Sequence, residues 1–267
     1  MLKGIRNNVP NLRHNETIDT LLNRRSIRAF CNEAIDNDTV VTLEAVAQRA
    51  ACSQFLNDWS AIKITDSSIK QKLSEIGNQT YIATAPLLYV FIIDQHRNAA
   101  IAHKNGVDTS SDELLKTRYR FTQAQNDVIL ALHAMETAAE SLGLGCVILG
   151  SILNSRTQLI DILNLPKYTY PVLGLAIGKP AQSPELKPRM SADMQIFENT
   201  YPADDAELLE NLADFDNRVH QYYDLRNASR PVDAFSAQIL TIAADDIAKK
   251  HEAEDVEQVA RQGFNVA

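Results

Sequence analysis

The sequence predicts a domain of the α+β or α/β class, in which a central β-sheet packs around one long helix. Three short apolar runs, Leu87–Ile93, Cys146–Leu149 and Tyr170–Ile177, are typical of strands that are buried on both faces. Between the first two runs, Leu114–Leu142 carries apolar residues at the 3.6-residue spacing of a helix. Because strands and helices are interspersed along the chain, we expect them to share one core.

The first half of the chain holds four further elements. Residues 1–15 are polar and predict an N-terminal arm. The elements after the arm are a helix over Thr17–Asn23, a helix that begins at an Asp38 cap and ends near Ala51, a strand over Ser60–Thr65, and a helix from Asp66 to Gly77. The stretch Gln95–Ser111 is polar and irregular, which predicts an insertion or a lid.

The second half of the chain is more helical. Small residues at Ala131, Ala134 and Ala138 accompany the apolar stripe of the long helix and predict close packing against another helix. After Gly143 ends that helix, the sequence predicts a helix over Ser155–Leu163, a proline-punctuated extended stretch over Pro184–Pro202, a helix over Ala206–Tyr223, and a polar helical tail over Ala237–Gln262.

Composition excludes several classes of protein. The chain has 267 residues, of which 45% are hydrophobic, and this is enough for a sizeable core. Its net charge of -8 argues against a protein that coats nucleic acid or an anionic membrane. The three cysteines lie far apart without a CxxC pair, which indicates neither a disulfide framework nor a zinc site. No apolar run approaches ~18 residues and no leader-like segment follows the start, so we expect a cytoplasmic protein without a membrane span.

The strongest local signal is a basic cluster on this acidic chain, in the stretch Asn23–Phe30. In an extended segment Arg24, Ser26 and Arg28 point one way, and the residues between them point the other way. Two guanidinium groups and a hydroxyl on one face suit a phosphate with a flat, acceptor-rich ring beyond it. Taken alone, the cluster suits a solvated basic turn equally well.

Two later stretches add to this signal. Gly150 follows a predicted buried strand, where a residue without a side chain lets a ligand ring lie against the backbone; a plain turn glycine is the alternative. Lys187 and Arg189 flank Pro188 in an extended segment, so both can point at one anion, and a surface loop is the alternative. The glycines of Gly143–Gly145 do not form a dinucleotide fingerprint, because their spacing and the order of helix and strand differ from it.

We find no motif for a catalytic side chain. The six histidines show no metal-ligand spacing, so we expect no metal site, and we assign His133 to packing or to the surface. Neither a G-x-S-x-G elbow nor a Walker loop is present. We attribute the many carboxylates to solvated helix faces. Groups that bind anions, without an evident acid, base or nucleophile, suit a cofactor that carries the chemistry itself.

Four motifs, in this order, resemble those of the FMN-dependent nitroreductase family, within its NADPH-dependent nitroreductase and flavin reductase group. The motifs are Arg25–Arg28, Gly77–Gln79, Ala138–Gly145 and Pro184–Arg189, and the resemblance runs from about Thr17 to about Ser236. It implies an α+β nitroreductase-like fold with a central mixed sheet, flanking helices and a long central helix. It also implies a domain-exchanged homodimer with FMN at the interface, where the stripe from Ala131 to Ala139 would pack between subunits.

We accordingly expect three regions in the chain. They are an N-terminal arm (1–15), an FMN-binding domain (16–236) and a C-terminal helical tail (237–267) that packs on the same domain or on the dimer partner.

The resemblance implies a role for each matching position. The FMN-binding residues that it implies are Arg24, Arg25, Ser26, Lys187 and Arg189 at the phosphate, Arg28 at the pyrimidine edge of the flavin, Gln79 at the polar edge of the ring, Ser53 and Gln54 in the loop beneath it, and Ile148, Leu149, Gly150 and Ser151 along the opposite edge. A cation at the pyrimidine edge stabilises the negative charge that develops there on reduction.

Arg226 and Arg230 are the positions that the resemblance assigns to the nicotinamide dinucleotide, NADPH or NADH. An arginine after an aromatic pair suits a 2'-phosphate or a pyrophosphate, and an exposed arginine at a helix end is the alternative. The chain also departs from the family: Ser151 and Leu153 replace a glycine and an arginine beside the flavin, and Arg24 stands where the group usually has histidine.

From these residues we expect an FMN-dependent NADPH oxidoreductase with a ping-pong mechanism and no catalytic side chain. NADPH would give a hydride to flavin N5 and leave, and a nitroaromatic, a quinone or free flavin would then take the electrons in the same pocket. One alternative is another enzyme of the same fold, such as a thiol reductase, an azo reductase or a flavin-using dehalogenase. The other is a flavin-binding protein that stores or senses FMN without turnover.

Overall fold

A four-stranded sheet and the long helix beside it organise the larger of two compact units. The structure is a computed structural model, and it describes residues 12–107, 113–226, 233–244 and 247–265. Of these residues, those between 19 and 184 and those from 250 onward form the larger unit. Those up to 18 and those from 185 to 249 form the smaller unit.

The sheet has the order β1-β2-β4-β3 and is antiparallel throughout. Its strands are β1 (Trp59–Lys63), β2 (Leu87–Asp94), β3 (Gly145–Leu149) and β4 (Thr169–Gly178). The expectation of a mixed sheet is therefore wrong for these strands, and parallel pairing among the described residues is confined to isolated bridges, such as Ser26–Cys146. The central strands β2 and β4 are buried along most of their length, which confirms what their apolar runs predict.

Twelve helices are seen in the described part of the chain. In chain order they are α1 (Glu16–Leu22), α2 (Asn37–Ala47), α3 (Ser67–Gly77), α4 (Tyr81–Thr84), α5 (Gln95–Lys104), α6 (Glu113–Lys116), α7 (Arg118–Ser141), α8 (Arg156–Ile162), α9 (Asp205–Leu208), α10 (Leu212–Arg226), α11 (Phe235–Ala244) and α12 (Ile247–Arg261). The predicted long helix is α7, and Thr117 separates it from α6 by accepting the Arg120 N–H as an N-cap. In the described part of the chain, no helix is long and apolar enough to cross a bilayer.

Three predictions about helices need correction. The single helix predicted over Ala206–Tyr223 is divided into α9 and α10, which residues 209–211 separate. Helix α2 is capped by Asp36, whose carboxylate accepts the Thr39 N–H at 2.9 Å, and Asp38 lies in its first turn instead. The stretch Gln95–Ser111 was expected to be irregular, but its first ten residues form α5. The helix begins there because the Asp94 carboxylate accepts a backbone N–H of the first turn as an N-cap. The polar composition of the stretch gave no indication of this cap. Residues 108–111 of this stretch lie outside the described residues.

Helix α7 packs against α2 and against all four strands. Its alanines Ala131 and Ala139 are fully buried within this one chain. The expectation that this stripe packs between subunits is therefore wrong for these two residues, because the sheet and α2 already cover them. The large apolar side chains of α7 that remain exposed are Tyr119, Ile129 and Leu130, at 56%, 42% and 47%.

The smaller unit contains α9, α10 and α11. The rings of Phe215 and Phe235 lie 5.1 Å apart and join α10 to α11. The predicted extended stretch Pro184–Pro202 is irregular apart from a 3₁₀ turn at Ala192–Met194.

Candidate functional site

A hydrogen-bond network joins three of the predicted flavin residues. Tyr81 and Ser151 both donate their hydroxyl protons to Oε1 of Gln79, the second over 3.1 Å. Burial raises the pKa of the Tyr81 hydroxyl, and the Arg28 guanidinium, which is hydrogen-bonded to it, opposes that rise. The structure thus brings Arg28, Gln79 and Ser151 together, with Tyr81 as a fourth member.

The turn after α3 places Gln79 in this network. Helix α3 ends at Gly77, and Asn78 then takes a left-handed conformation with φ of 48°, as is usual after a helix C-terminus. The Ser74 hydroxyl donates to the Gln79 carbonyl oxygen at 3.0 Å and fixes the turn. A Cβ atom at Gly77 would lie 3.1 Å from Ser151 Oγ, so the glycine lets the two segments approach closely.

Strand β3 leads to the other side of this network. Leu149 is buried in the core, and Ile148 is only partly buried. Gly150 is exposed, and a Cβ atom built on it would meet no atom within 4 Å. Open space against the backbone at Gly150, next to Ser151, is what a flat ring would need in order to lie there.

Arg24 forms an ion pair with a buried carboxylate. Its Nε and Nη2 atoms donate to Glu136 Oε1 at 2.9 Å and 2.7 Å. The Glu136 side chain on α7 is 1% exposed, and His133 Nδ1 lies 3.1 Å from its other oxygen. The assignment of carboxylates to solvated helix faces is wrong for Glu136, because this residue lies on the buried side of α7. The charge of Arg24 is therefore matched inside the chain, and its predicted contact with a phosphate stays a prediction.

Arg25 is held by backbone carbonyls at the edge of a cavity. Its Nε donates to the Asn23 carbonyl oxygen and its Nη1 to that of Pro184, each at 3.1 Å. Arg25 and Glu140 both line this cavity, whose volume is about 230 Å³. Burial and the neighbouring Glu136 raise the pKa of Glu140 to about 7, against the effect of the two arginines. Arg25 is thus beside a carboxyl group that is only partly ionised at neutral pH.

The basic segment is extended, as its alternation predicts. Ser26 forms an isolated parallel bridge with Cys146, and the Ile27 N–H donates to the Cys146 carbonyl oxygen at 2.8 Å. Ile27 is 5% exposed and packs on Gly145, where a Cβ atom would lie 2.7 Å from its side chain. The segment therefore lies against β3.

Ser53 and Gln54 lie in a 3₁₀ turn that precedes β1. The Ser53 N–H donates to both carboxylate oxygens of Asp127 on α7, at 2.9 Å and 3.0 Å. Gln54, Phe55 and Asn57 have positive φ angles, which is unusual for residues with a side chain. In the parts of the chain that the structure describes, no hydrogen bond links this loop to the Arg28 network, so the roles of Ser53 and Gln54 at a flavin stay predictions.

The remaining predicted site residues lie from position 187 onward. Lys187 and Arg189 are exposed in the smaller unit, and Arg189 Nη1 donates to the carbonyl oxygens of Lys187 and Pro188 at 3.5 Å and 3.2 Å. Helix α10 ends at Arg226. The structure describes the backbone of Arg226 but not its side chain, and Arg230 lies outside the described residues. The roles of all four cationic residues stay predictions.

A larger cavity lies beside β1 and contains none of the predicted flavin residues. Its volume is about 560 Å³, and its lining includes Glu44, Lys63 and Tyr89. Lys63 Nζ and the Tyr89 hydroxyl both donate to Glu44 Oε1 at 2.8 Å. These three polar groups are therefore hydrogen-bonded to one another. Among the described residues there is also no cluster of three or more side chains suited to a metal ion.

Five residues around the predicted site were not predicted from the sequence. For three of them, a pattern in the sequence could have indicated their position. The five residues are Asp58, Tyr81, Asp127, Glu136 and Glu140. Asp127 and Glu136 fall at the helical spacing of the apolar stripe of α7, where a carboxylate signals a buried pair rather than a solvated face. Tyr81 lies two residues after Gln79, within reach of the same turn. For Asp58 we find no signal in the sequence.

Comparison with known proteins agrees with this geometry. A model described as the nitroreductase family matches residues 21–179, and one described as the nitroreductase family C-terminal domain matches residues 187–267. The chain belongs to the nitroreductase family. The matched stretches contain the predicted flavin residues from Arg24 to Ser151 in the first and both Lys187 and Arg189 in the second.

Individual relatives match most of the chain. A protein of Bacillus subtilis named FMN reductase (NADPH) is 34% identical over 227 residues, which is 85% of this chain and 90% of that protein. An NADPH-dependent oxidoreductase of Staphylococcus aureus is 33% identical over 220 residues, which is 80% of this chain and 85% of the relative.

Solved structures confirm the nitroreductase-like fold. NfrA1 nitroreductase from B. subtilis superposes with a TM-score of 0.87 at 31% identity and covers 94% of this chain and 100% of its own. The NADPH:FMN oxidoreductase from Vibrio harveyi complexed with NAD+ superposes with a TM-score of 0.76 at 28% identity, and covers 90% of this chain and 98% of its own.

Proposed function

We propose that this nitroreductase-family protein is an FMN-dependent NADPH oxidoreductase that reduces nitroaromatics, quinones or free flavin. The observation that carries the proposal is the network of Arg28, Tyr81, Gln79 and Ser151 beside the open backbone of Gly150. These groups can bind and polarise a ligand, but none of them is arranged as a nucleophile or as a general base. Relatives named for FMN and NADPH support the same conclusion.

The residues present fit a flavin. Gln79 Oε1 already receives two hydroxyl donors, so its Nε2 amide remains to donate to an acceptor on a ligand. The Arg28 cation favours negative charge on that ligand. Gly150 leaves room for a flat ring against the end of β3. A ring with several carbonyl and nitrogen acceptors on its edge, whose negative charge increases on reduction, matches these three features.

Bound FMN would supply the redox chemistry, hydride transfer from NADPH and electron transfer to a second substrate. The chain itself would bind and orient both partners. Arg25, Ser26, Lys187 and Arg189 are the predicted phosphate residues, Arg28 and Gln79 would hold the polar edge of the ring, and Arg226 would hold the nicotinamide dinucleotide.

We further propose a homodimer in the cytoplasm. The loop that carries Ser53 and Gln54 is not hydrogen-bonded to the Arg28 network of its own chain, so a partner chain is one means of supplying it. Val41 on α2 and Ile129 and Leu130 on α7, two helices that pack together, are exposed apolar side chains that a second subunit would cover.

An anaerobic visible spectrum of the purified protein, before and after NADPH is added, tests the proposal. We expect a flavin spectrum that bleaches with NADPH and recovers when a nitroaromatic or a quinone is added. A flavin spectrum that does not bleach would favour a flavin store, and a protein that binds no added FMN would refute the assignment. In the enzyme, Arg226→Ala should raise the KM for NADPH while the FMN content stays unchanged.

A further inference from the structure

Asp58 and Asp127 form a buried carboxyl pair beneath the loop of residues 52–57. Asp58 is fully buried just before β1, and Asp127 on α7 is 2% exposed. After burial itself, the neighbouring Asp127 carboxyl group is the main cause that raises the pKa of Asp58. Gln95 Nε2 donates to Asp58 Oδ2 at 2.9 Å. Among the described residues, no N–H or O–H group donates to Asp58 Oδ1 as long as both carboxyl groups are ionised. One proton shared by the pair satisfies this oxygen, because two adjacent buried carboxylates do not both ionise readily.

The pair reaches the loop through one backbone amide. The Ser53 N–H donates to both oxygens of Asp127, at 2.9 Å and 3.0 Å. It restrains a loop in which Gln54, Phe55 and Asn57 all have positive φ angles. Such conformations are unfavourable for residues with a side chain, and they persist only where the surrounding structure holds them.

Two arginines of the neighbouring helices bind other groups. Arg97 on α5 forms an ion pair with Asp94 at the end of β2 and donates to the carbonyl oxygens of Asn57, in the loop, and of Trp59. Arg120 on α7 donates to Gln54 Oε1 at 2.6 Å. In the described part of the chain, neither arginine pairs with Asp58 or Asp127, so no cation neutralises the pair.

We propose that Asp58 and Asp127 are positioning residues, whose shared proton keeps the Asp127 carboxylate on the Ser53 amide and so holds the loop 52–57 in its strained conformation. This role in holding the loop does not depend on the proposed function, but the position of the loop at the flavin does. Loss of the proton leaves two negative charges in a site without a cation. The carboxylates then separate, the loop loses the restraint at the Ser53 amide, and it opens more readily.

The pair makes opening of the loop depend on pH. Burial, together with the neighbouring Asp127, raises the pKa of Asp58 to about 7, and in the open loop, where water reaches the pair, this pKa falls toward the ordinary value of about 3.9. The closed loop therefore binds up to one more proton than the open loop, over a window that ends at about pH 7. By linkage, the opening constant rises by up to about tenfold per pH unit in this window and levels off above it.

Hydrogen–deuterium exchange of the full-length protein, read on peptides that contain residues 52–57, measures this opening. After correction for the intrinsic exchange rate, the wild-type opening constant should rise between about pH 5 and about pH 7. In the Asp58→Asn variant, the amide donates to Asp127 as the shared proton does, so this slope should vanish. Asp127→Asn gives the same test, because its amide accepts from Ser53 and donates to Asp58.

Asp66 provides an internal control. Its carboxylate also accepts a backbone N–H, that of Ser68 at 2.7 Å, and this bond lowers its pKa. Peptides that cover this cap should therefore show no pH slope over the same range. Loop protection that does not change with pH in the wild type would overturn the proposal. So would an Asp58→Asn loop that keeps the wild-type slope.

FMN titration separates this proposal from the proposed function. Wild-type affinity for FMN should fall several-fold from about pH 6 to about pH 8, and that of Asp58→Asn should not. A loop that opens with pH while FMN affinity stays constant would overturn the positioning role. A protein that binds no FMN at either pH contradicts the proposed function instead, and the exchange slope still decides whether the carboxyl pair holds the loop.

Discussion

Replacing Arg24 by alanine leaves Glu136 as a buried carboxylate without its main partner. In the wild type, two guanidinium nitrogens donate to Glu136 Oε1, and the glutamate side chain is 1% exposed. Removal of one partner from a fully buried ion pair costs about 3–5 kcal/mol. Arg24 is 25% exposed and His133 remains beside the carboxylate. We therefore expect Arg24→Ala to lower the free energy of unfolding by about 2–3 kcal/mol.

Urea denaturation of a double-mutant cycle measures this cost. Glu136→Gln removes the buried charge while it keeps an acceptor for Arg24. If the carboxylate is the cause, the double variant Arg24→Ala/Glu136→Gln should regain at least half of the stability that Arg24→Ala loses. A loss below about 1 kcal/mol, or no recovery in the double variant, would refute the reasoning.

Two glycines and one carboxyl group give further tests. Gly145→Ala forces a Cβ to within 2.7 Å of Ile27, so it should lower the free energy of unfolding by about 1–3 kcal/mol in urea. Gly150→Ala meets no atom within 4 Å, so it should leave stability unchanged and yet weaken FMN binding in a fluorescence titration. For Glu140, whose pKa is raised to about 7, the folded state keeps a proton that the unfolded state loses, so wild-type stability falls as pH rises from about 4.5 to about 7. Glu140→Gln should remove about 1–2 kcal/mol of that fall, and an unchanged slope would contradict the raised pKa.

The sequence predicts the sheet and the long helix well because burial on both faces leaves a simple pattern. The continuous apolar runs of β2 and β4 appear almost residue for residue in the structure. The Asp66 cap and the end of α3 at Gly77 are also confirmed, since both depend on local hydrogen bonds. Helix α5 was missed for the opposite reason: its residues are mostly polar, and the cap that starts it lies in the preceding strand. The antiparallel direction of the strands could not be predicted from the sequence either, because strand pairing depends on contacts between distant segments.

The residues of the candidate site likewise fall into those that the sequence predicts and those that it does not. Resemblance to the family points to Arg28, Gln79 and Ser151, and the structure brings these three together. Their partner Tyr81 and the carboxylates behind the site were not predicted, because a side chain's hydrogen bonds depend on which segments meet in the fold. A charged residue inside an apolar stripe is a usable exception. Both Asp127 and Glu136 interrupt the buried stripe of α7.

These two carboxylates give α7 a function beyond packing. Glu136 neutralises Arg24 at one point of the helix, and Asp127 binds the loop that carries Ser53 at another. Both are buried, so both respond to the charge state of their neighbours much more strongly than a surface carboxylate would. If cations of the basic segment bind the flavin phosphate, we expect Arg25 rather than Arg24 to bind it, because Arg24 already forms an ion pair with Glu136. FMN affinity should accordingly fall further in Arg25→Ala than in Arg24→Ala/Glu136→Gln, in which the lost cation and the lost carboxylate offset each other.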